Sequence, residues 1–329
     1  MDALTRLHLG LTRGRELVGR PYLDDPELLA AYREHFSPMS YAKARAVLRE
    51  LNLAGVRTVI DVGAGPGAMA QAAKELFPEA RVIACDRSAR ALEAVPAGIE
   101  RVRWDAAQSV PPGLPRAEVL LLGNVLNELI ERGDESPRPV ERSSPGPNPP
   151  LAGDAMAHVE RIAAALLAEG GTIVIIEPAL RETARALEET RDRLIDRGWF
   201  VVAPCLWRGK CPALARERDW CHEARSEDET LKFAYLVLRR NGEWSADPRQ
   251  WRVVSAKMEE KGREKLWACG VRGRYLLTRL DRHASDANAA WKDIARGDVV
   301  EIDGLEEKGD GLRLGKESRV RVRLPVVRG

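Results

Sequence analysis

The chain has 329 residues, 44% of them hydrophobic and 31% charged, with a formal net charge of +2. That composition excludes wholesale disorder and allows a large core with more than one folded unit. The charge is unevenly placed: residues 1–200 hold 25 basic and 29 acidic side chains, residues 201–329 hold 27 and 21, and 239–279 alone hold 11 and 5. No apolar run reaches the roughly 20 residues that span a bilayer, and MDALTRLHLGLTRGRE lacks a signal-peptide core. A cytoplasmic monomer with no membrane partner is expected.

Residues 1–52 read as a helical region. DPELLAAYREHF and SYAKARAVLRELNL space their apolar residues by three and four, with Ser40 as the expected N-cap. From 53 to 200, short apolar runs alternate with helical patterns: TVIDVG (58–63), ARVIACD (80–86), EVLLLGN (118–124) and GTIVIIEP (171–178). This alternation predicts an α/β fold with a parallel, doubly wound sheet. The stretch 134–150 has six prolines and no periodicity, and is expected to be a flexible insertion. Residues 201–290 form a cysteine-bearing extension with a basic segment, in which TLKFAYLVLRR fits either a helix or a strand. From 291 to 329, alternating strands with glycine turns predict a small β-module.

VIDVGAGPGAMAQAAKEL is the most informative stretch of the first half. A strand ends in Asp61, and Gly63, Gly65 and Gly67 lead into a helix of small residues. Glycines there let the backbone turn sharply and approach a ligand, with a helix N-terminus behind them. A glycine-rich turn alone also suits a dinucleotide. Three details favour S-adenosylmethionine: the spacing is GxGxG, Asp61 precedes it, and Asp86 ends a strand twenty-five residues later, placed for ribose hydroxyls. Asp105 follows where a third strand would end. This set resembles the class I methyltransferase pattern over roughly residues 50–180. The cofactor-binding candidates are Asp61, Gly63, Ala64, Gly65, Gly67, Asp86, Arg87, Asp105 and Asn124.

Catalytic candidates are weaker. LLGNVLNELI offers Asn124, Asn127 and Glu128, without the Asn-Pro-Pro-aromatic signature of base amino methylation or a Pro-Cys nucleophile; Asn127 and Glu128 also fit a helix cap and helix face. Methyl transfer from a sulfonium needs mainly alignment and a deprotonated acceptor. Cys85, on an apolar strand, reads as a core residue.

The other four cysteines, Cys205, Cys211, Cys221 and Cys269, are separated by 5, 9 and 47 residues. In a chain expected to be cytoplasmic this suits metal ligation better than disulfides, and the long spacing leaves both zinc and an iron–sulfur cluster open. Arg208, Lys210, Arg216 and Arg218 are expected to offset thiolate charge, and Trp207, Trp220 and Trp267 to shield the site. The basic segment supplies candidate RNA contacts at Arg239, Arg240, Arg249, Arg252, Lys257, Lys261, Arg263, Lys265, Arg272 and Arg274, although a solvated charged surface is the commoner meaning of such a bias.

VIDVGAGPG, EPAL, the Cys205…Cys211…RDWCH run, LKFAYLVL and Cys269 together resemble the methyltransferase-like proteins of small-ribosomal-subunit assembly, known from mitochondria and with bacterial relatives. The resemblance covers about residues 20–280. It implies a [4Fe–4S] cluster on Cys205, Cys211, Cys221 and Cys269, S-adenosylmethionine at the Gly63–Gly67 loop, and binding to small-subunit rRNA in ribosome assembly. The insertion at 134–150 and the acidic residues after RDWCH fall outside it. Two other readings stay open: an active methyltransferase on a non-ribosomal substrate with a structural zinc, and a non-catalytic RNA-binding assembly factor.

Overall fold

The computed structural model describes residues 1–132, 152–225, 231–242 and 247–324; the insertion at 134–150 and the acidic run 226–230 lie outside them. The chain opens with helices α1 (Ala3–His8), α2 (Pro26–His35) and α3 (Ser37–Leu51). Asp25 caps α2 by accepting from the amides of Glu27 and Leu28 at 2.9 and 3.2 Å. Ser40 is not a cap. α3 begins earlier, with Pro38 in its first turn where a missing N–H costs nothing, and Ser40 is buried inside the helix.

An α/β layer follows: β1 (Thr58–Val62), α4 (Ala68–Leu76), β2 (Arg81–Asp86), α5 (Ala89–Glu93), β3 (Glu100–Arg103), β4 (Ala117–Gly123), α6 (Leu126–Arg132), α7 (Ala152–Leu166), β5 (Leu167–Pro178), α8 (Arg181–Asp196), β6 (Phe200–Ala203), β7 (Glu223–Ala224) and β8 (Lys232–Arg239). The strand order is β3-β2-β1-β4-β5-β8-β6, with β7 paired to the start of β8. β1 to β5 are parallel, and β8 runs antiparallel to both β5 and β6. Burial on both faces explains the near-continuous apolar runs. Ile60, Ile83, Leu120 and Ile173 pack on one side with α7 and α8, and Val59, Val82, Val119 and Val174 on the other with α3 and α4. TLKFAYLVLRR is therefore a strand: residues 233–238 are all buried between the two layers.

The remaining strands are β9 (Gln250–Val253), β10 (Met258–Glu260), β11 (Arg263–Gly270), β12 (Gly273–Leu280), β13 (Val299–Lys308) and β14 (Gly311–Leu324). They form a second sheet, β10-β11-β12-β14-β13-β9, and β9 also pairs with β11, closing it into a barrel. Its core holds Trp251, Leu266, Leu277, Ile302 and Leu314, with Trp291 and Ile294 from the segment before β13. The barrel thus starts near residue 250, and Cys269 lies within it rather than in a separate cysteine region. The expected boundary at 291 reflects the clearer alternation of the last two strands.

A buried ionic knot joins the pieces. Glu50 of α3, Glu223 of β7, Tyr235 of β8 and Arg252 of β9 meet around Arg225. Arg252 reaches Glu50 at 2.6 Å, Glu223 at 3.2 Å and the Tyr235 hydroxyl at 2.6 Å, and Arg225 meets Glu223 at 3.1 Å. Burial alone would raise the Glu50 carboxyl, but Arg252 and Arg225 outweigh it and hold the group at about 2.

Candidate functional site

The first site is a cleft, open to solvent, at the C-terminal ends of the parallel strands. Gly63, Gly65, Asp86, Arg87, Asp105 and Asn124 line it, joined by Tyr22, Leu23, Tyr32 and Trp104. The glycine turn is pinned to the end of β2: the amides of Gly63 and Ala64 donate to the Cys85 carbonyl at 2.8 and 2.9 Å, and that of Gly65 to Asp86 Oδ2 at 2.8 Å. Gly65 has φ +53, and a Cβ on Gly63 would meet Val125 at 2.6 Å, so a side chain there would close the turn.

Asp61, Ala64 and Gly67 are not on the cleft wall; Ala64 and Gly67 shape the turn. Asp61 is fully buried behind it, and its Oδ2 accepts from Ala70 in the first turn of α4 at 2.9 Å. Its Oδ1 has no partner among the described residues. Burial pushes this carboxyl up to about 7, against the Ala70 bond. Arg87 lines the cleft with its guanidinium already engaged: it holds the carbonyls of Gly19 and Arg20 and lies 3.7 Å from Glu128. It anchors the N-terminal segment across the cleft.

The catalytic candidates separate. Asn124, at φ +56, is on the cleft wall. Glu128 is also on the wall; it accepts from the Tyr22 hydroxyl at 3.2 Å, and burial pushes it up to about 8 despite Arg87, so it is mainly protonated at neutral pH. Asn127 is committed elsewhere, donating to Glu177 at 2.7 Å and to the Asn124 carbonyl at 2.9 Å while accepting from Arg15 at 3.2 Å. Arg15, Tyr22 and Glu177 were not picked out by sequence. The first two sit in a segment read only as helical, and only Glu177, at the end of an apolar strand, carried a local signal.

The second site is a partly open cavity with all four of Cys205, Cys211, Cys221 and Cys269 on its walls. None is in a disulfide. Helix α8 holds the loop that carries three of them, using one face of its surface. Arg185 donates to the carbonyls of Arg216 and Asp219 at 2.9 and 2.7 Å, and Arg191 to those of Trp207 and Gly209. Asp192 accepts from the Cys211 amide at 2.9 Å, and Glu188 from that of Cys221. Glu188 Oε2 has no partner among the described residues. The cations on the wall are Arg191, Arg252 and Arg274. Arg208, Lys210, Arg216 and Arg218 are not on the wall, and Lys210 pairs with the exposed Asp196 at 2.8 Å, which corrects the expectation that these four offset the thiols. As free thiols all four are raised by burial, Cys269 to about 12. His222 turns its Nε2 to Arg296 at 3.1 Å. Among the described residues, no three Cys, His, Asp or Glu side chains converge closely enough to hold one metal ion.

The basic segment divides. Arg252 is 2% exposed and bound in the ionic knot, so it faces no phosphate. Arg274 packs over Trp267 and pairs with Asp219 at 3.2 Å on the cysteine loop. Lys257 caps the carbonyls of Trp291 and Lys292 at 2.6 and 2.7 Å. Arg239 donates to Thr172, Arg240 lies over the Trp199 ring, and Arg249 pairs with Asp247. Lys261 is exposed. Arg263 and Lys265 share Glu260, and Arg272 pairs with Glu307.

A glycine-turn cleft at the ends of parallel strands, in a sheet whose reversed β8 lies between β5 and β6, defines a class I methyltransferase fold. Two family models place the chain further, each over less than half its length. The model described as mitochondrial small ribosomal subunit Rsm22 matches residues 155–275, and an O-methyltransferase domain model matches residues 14–132. Solved structures with similarity include the plantazolicin methyltransferase BpumL in complex with a pentazolic desmethylPZN analog and SAH, at 14% identity and TM-score 0.36, covering 53% of this chain and 61% of that one. Mitomycin 7-O-methyltransferase MmcR follows at 18% and 0.40, covering 70% and 62%. Precorrin-6y C5,15-methyltransferase from Geobacter metallireducens GS-15 stands at 18% and 0.36, covering 60% and 86%. This chain thus spans about three fifths of the BpumL and MmcR structures, and at these TM-scores they add nothing to the topology already described. No curated protein matches the chain. No helix among the described residues is long and apolar enough to cross a membrane.

Proposed function

We propose that this protein binds S-adenosylmethionine in the glycine-turn cleft and a [4Fe–4S] cluster at the four cysteines, and acts on small-subunit rRNA during ribosome assembly. The observation that carries the reading is the convergence of Cys205, Cys211, Cys221 and Cys269 on one cavity, inside the segment that matches the Rsm22 model.

The donor set fits both groups. Four thiols and three arginines around one cavity suit an anionic, thiolate-bound centre. A single zinc is the alternative occupant of the same four thiols. In the cleft, Asp86 would take the ribose hydroxyls, Asp105 the adenine amine, and the unpartnered Oδ1 of Asp61 would take the ammonium through water, since Asp61 is off the wall. The cofactor supplies an electrophilic methyl group. The chain's own contribution is alignment and exclusion of water by the segment that Arg87 ties across the cleft.

Anaerobic purification followed by iron, sulfide and zinc analysis should give about four irons and four sulfides per chain. One zinc without sulfide overturns the cluster. Crosslinking and sequencing of bound RNA, with rRNA methylation mapped in a deletion strain, tests partner and catalysis together; recovery of no small-subunit rRNA sinks the ribosomal reading.

A further inference from the structure

The barrel has a connectivity with consequences for RNA. Its closed order is β9-β11-β12-β14-β13 and back to β9, β12 and β14 run parallel, and the helical turns 281–293 lie between β12 and β13. This is the five-stranded Greek-key arrangement of an OB-fold, whose second and third strands and flanking loops bind oligonucleotides or oligosaccharides. Fold alone assigns no ligand, so the residues on that face must decide.

The second and third barrel strands are β11 and β12. Leu266, Ala268 and Leu277 point into the core, which sends the alternating residues outward. Strand pairing sets those in rows: Lys265 opposite Thr278, and Thr278 opposite Arg313; Trp267 opposite Leu276; Arg263 opposite Leu280. Met258, 37% exposed, flanks Lys265 on β10. Arg263, 47% exposed, and Lys265, 16% exposed, share the single carboxylate of Glu260. Arg313 Nε is buried, with no hydrogen-bond partner among the described residues. Trp267 is half-buried, with the Arg274 guanidinium 4.8 Å from its centroid. The far end of the face is closed, because Cys269 and Arg274 turn into the cysteine cavity.

An aromatic platform among cations on a narrow curved sheet matches single-stranded nucleic acid, where bases stack and phosphates pair; a paired A-form helix offers no free base faces, and a neutral oligosaccharide leaves the cations unused. We propose that the outer face of β11 and β12 binds a short unpaired RNA segment, with a base on Trp267 and phosphates on Arg263, Lys265 and Arg313. The partner rests on the preceding reading, but the surface needs neither cofactor nor cluster. With half of the face closed, the footprint is at the low end for such folds, about 4 nucleotides.

The test is fluorescence anisotropy of the full-length protein with a labelled 12-nucleotide RNA, alone and annealed to its complement, across a salt series. Single strands should bind at least tenfold tighter than duplex. Lys265→Glu with Arg313→Glu should weaken binding tenfold or more and flatten the salt slope by about 1.4, two contacts at roughly 0.7 each for single strands. Trp267→Ala should weaken binding about tenfold and leave the slope unchanged; Trp267→Phe, which disturbs packing less, should retain most of the affinity. Arg321→Glu, exposed on β14 away from this face, is the control. Duplex preference, or an equal loss from Arg321→Glu, overturns the proposal. Undiminished RNA binding by the Lys265/Arg313 variant removes this surface and leaves the ribosomal reading standing, whereas a wild-type protein that binds no RNA removes both.

Discussion

In the cofactor cleft, the residues that meet a ligand come mostly from consecutive strand ends, and the glycine turn is fixed by amide bonds to the end of the neighbouring β2. In the cysteine cavity, the walls come from α8, a loop, β9, β11 and β12, and side chains of α8 hold the loop's backbone amides and carbonyls. One site is therefore local and backbone-built. The other is assembled at a seam between two sheets, and its integrity depends on the seam. Loss of a cleft residue should leave the fold intact, whereas loss of a cavity residue should separate the barrel from the α/β layer.

Cys269→Ser tests this contrast most severely. It removes the only barrel thiol on the cavity wall, and should abolish cluster content while cofactor affinity measured by calorimetry is unchanged. Limited proteolysis should then cut between the two sheets, and a variant with full iron content would exclude Cys269 as a ligand. Next in size is Glu50→Ala, which leaves Arg225 and Arg252 with Glu223 as their one shared buried carboxylate and should cost about 3–5 kcal/mol by denaturant unfolding. The same group gives a pH dependence. Because the folded Glu50 carboxyl is depressed to about 2, its stabilisation is complete above its unfolded value, about 4.3, and is lost as pH falls towards 2. Tryptophan fluorescence should show the wild type losing stability in that acid window and Glu50→Gln not sharing the loss.

Asp86→Ala addresses the other side of the comparison. It removes a carboxylate that holds the Gly65 amide and faces the cleft. Cofactor affinity should fall about tenfold to a hundredfold, as for a charged hydrogen bond worth roughly 1.5–3 kcal/mol, with iron content unchanged. A parallel loss of iron would mean the sites are coupled. The smallest effect belongs to Lys210→Ala. Its pair with Asp196 is exposed, and such pairs contribute little, so neither melting temperature nor cluster content should change measurably despite its place beside Cys211.

Particular residues show where the sequence was legible. Asp61, the three glycines and Asp86 declared a strand–turn–helix because each needed a special conformation or a strand-end position over few residues. The four cysteines declared themselves as a set, and the structure brings all four to one cavity. Arg252 looked identical to Arg263 in a basic segment, yet one is buried in an ionic knot and the other stands on the barrel's outer face. Apolar Trp251 and Val253 beside Arg252 are the only local difference, and the carboxylates that bury it, Glu50 and Glu223, lie far away in sequence. RETARALEETRDRLID likewise read as an ordinary charged helix, and its role as the clamp of the cysteine loop depends on a partner more than ten residues away.

The sequence by itself determined the α/β alternation, the glycine turn, the carboxylates at the strand ends and the grouping of the four cysteines, because their causes are local: period, backbone conformation and side-chain chemistry. Only the tertiary structure decided that the N-terminal segment crosses the cleft, that β8 inserts reversed into the sheet, that the barrel begins near residue 250, and that Lys265 and Arg313 flank Thr278 in one row across three strands. Those facts depend on which distant strands pair, and pairing is fixed by the burial of whole faces rather than by any stretch of chain alone.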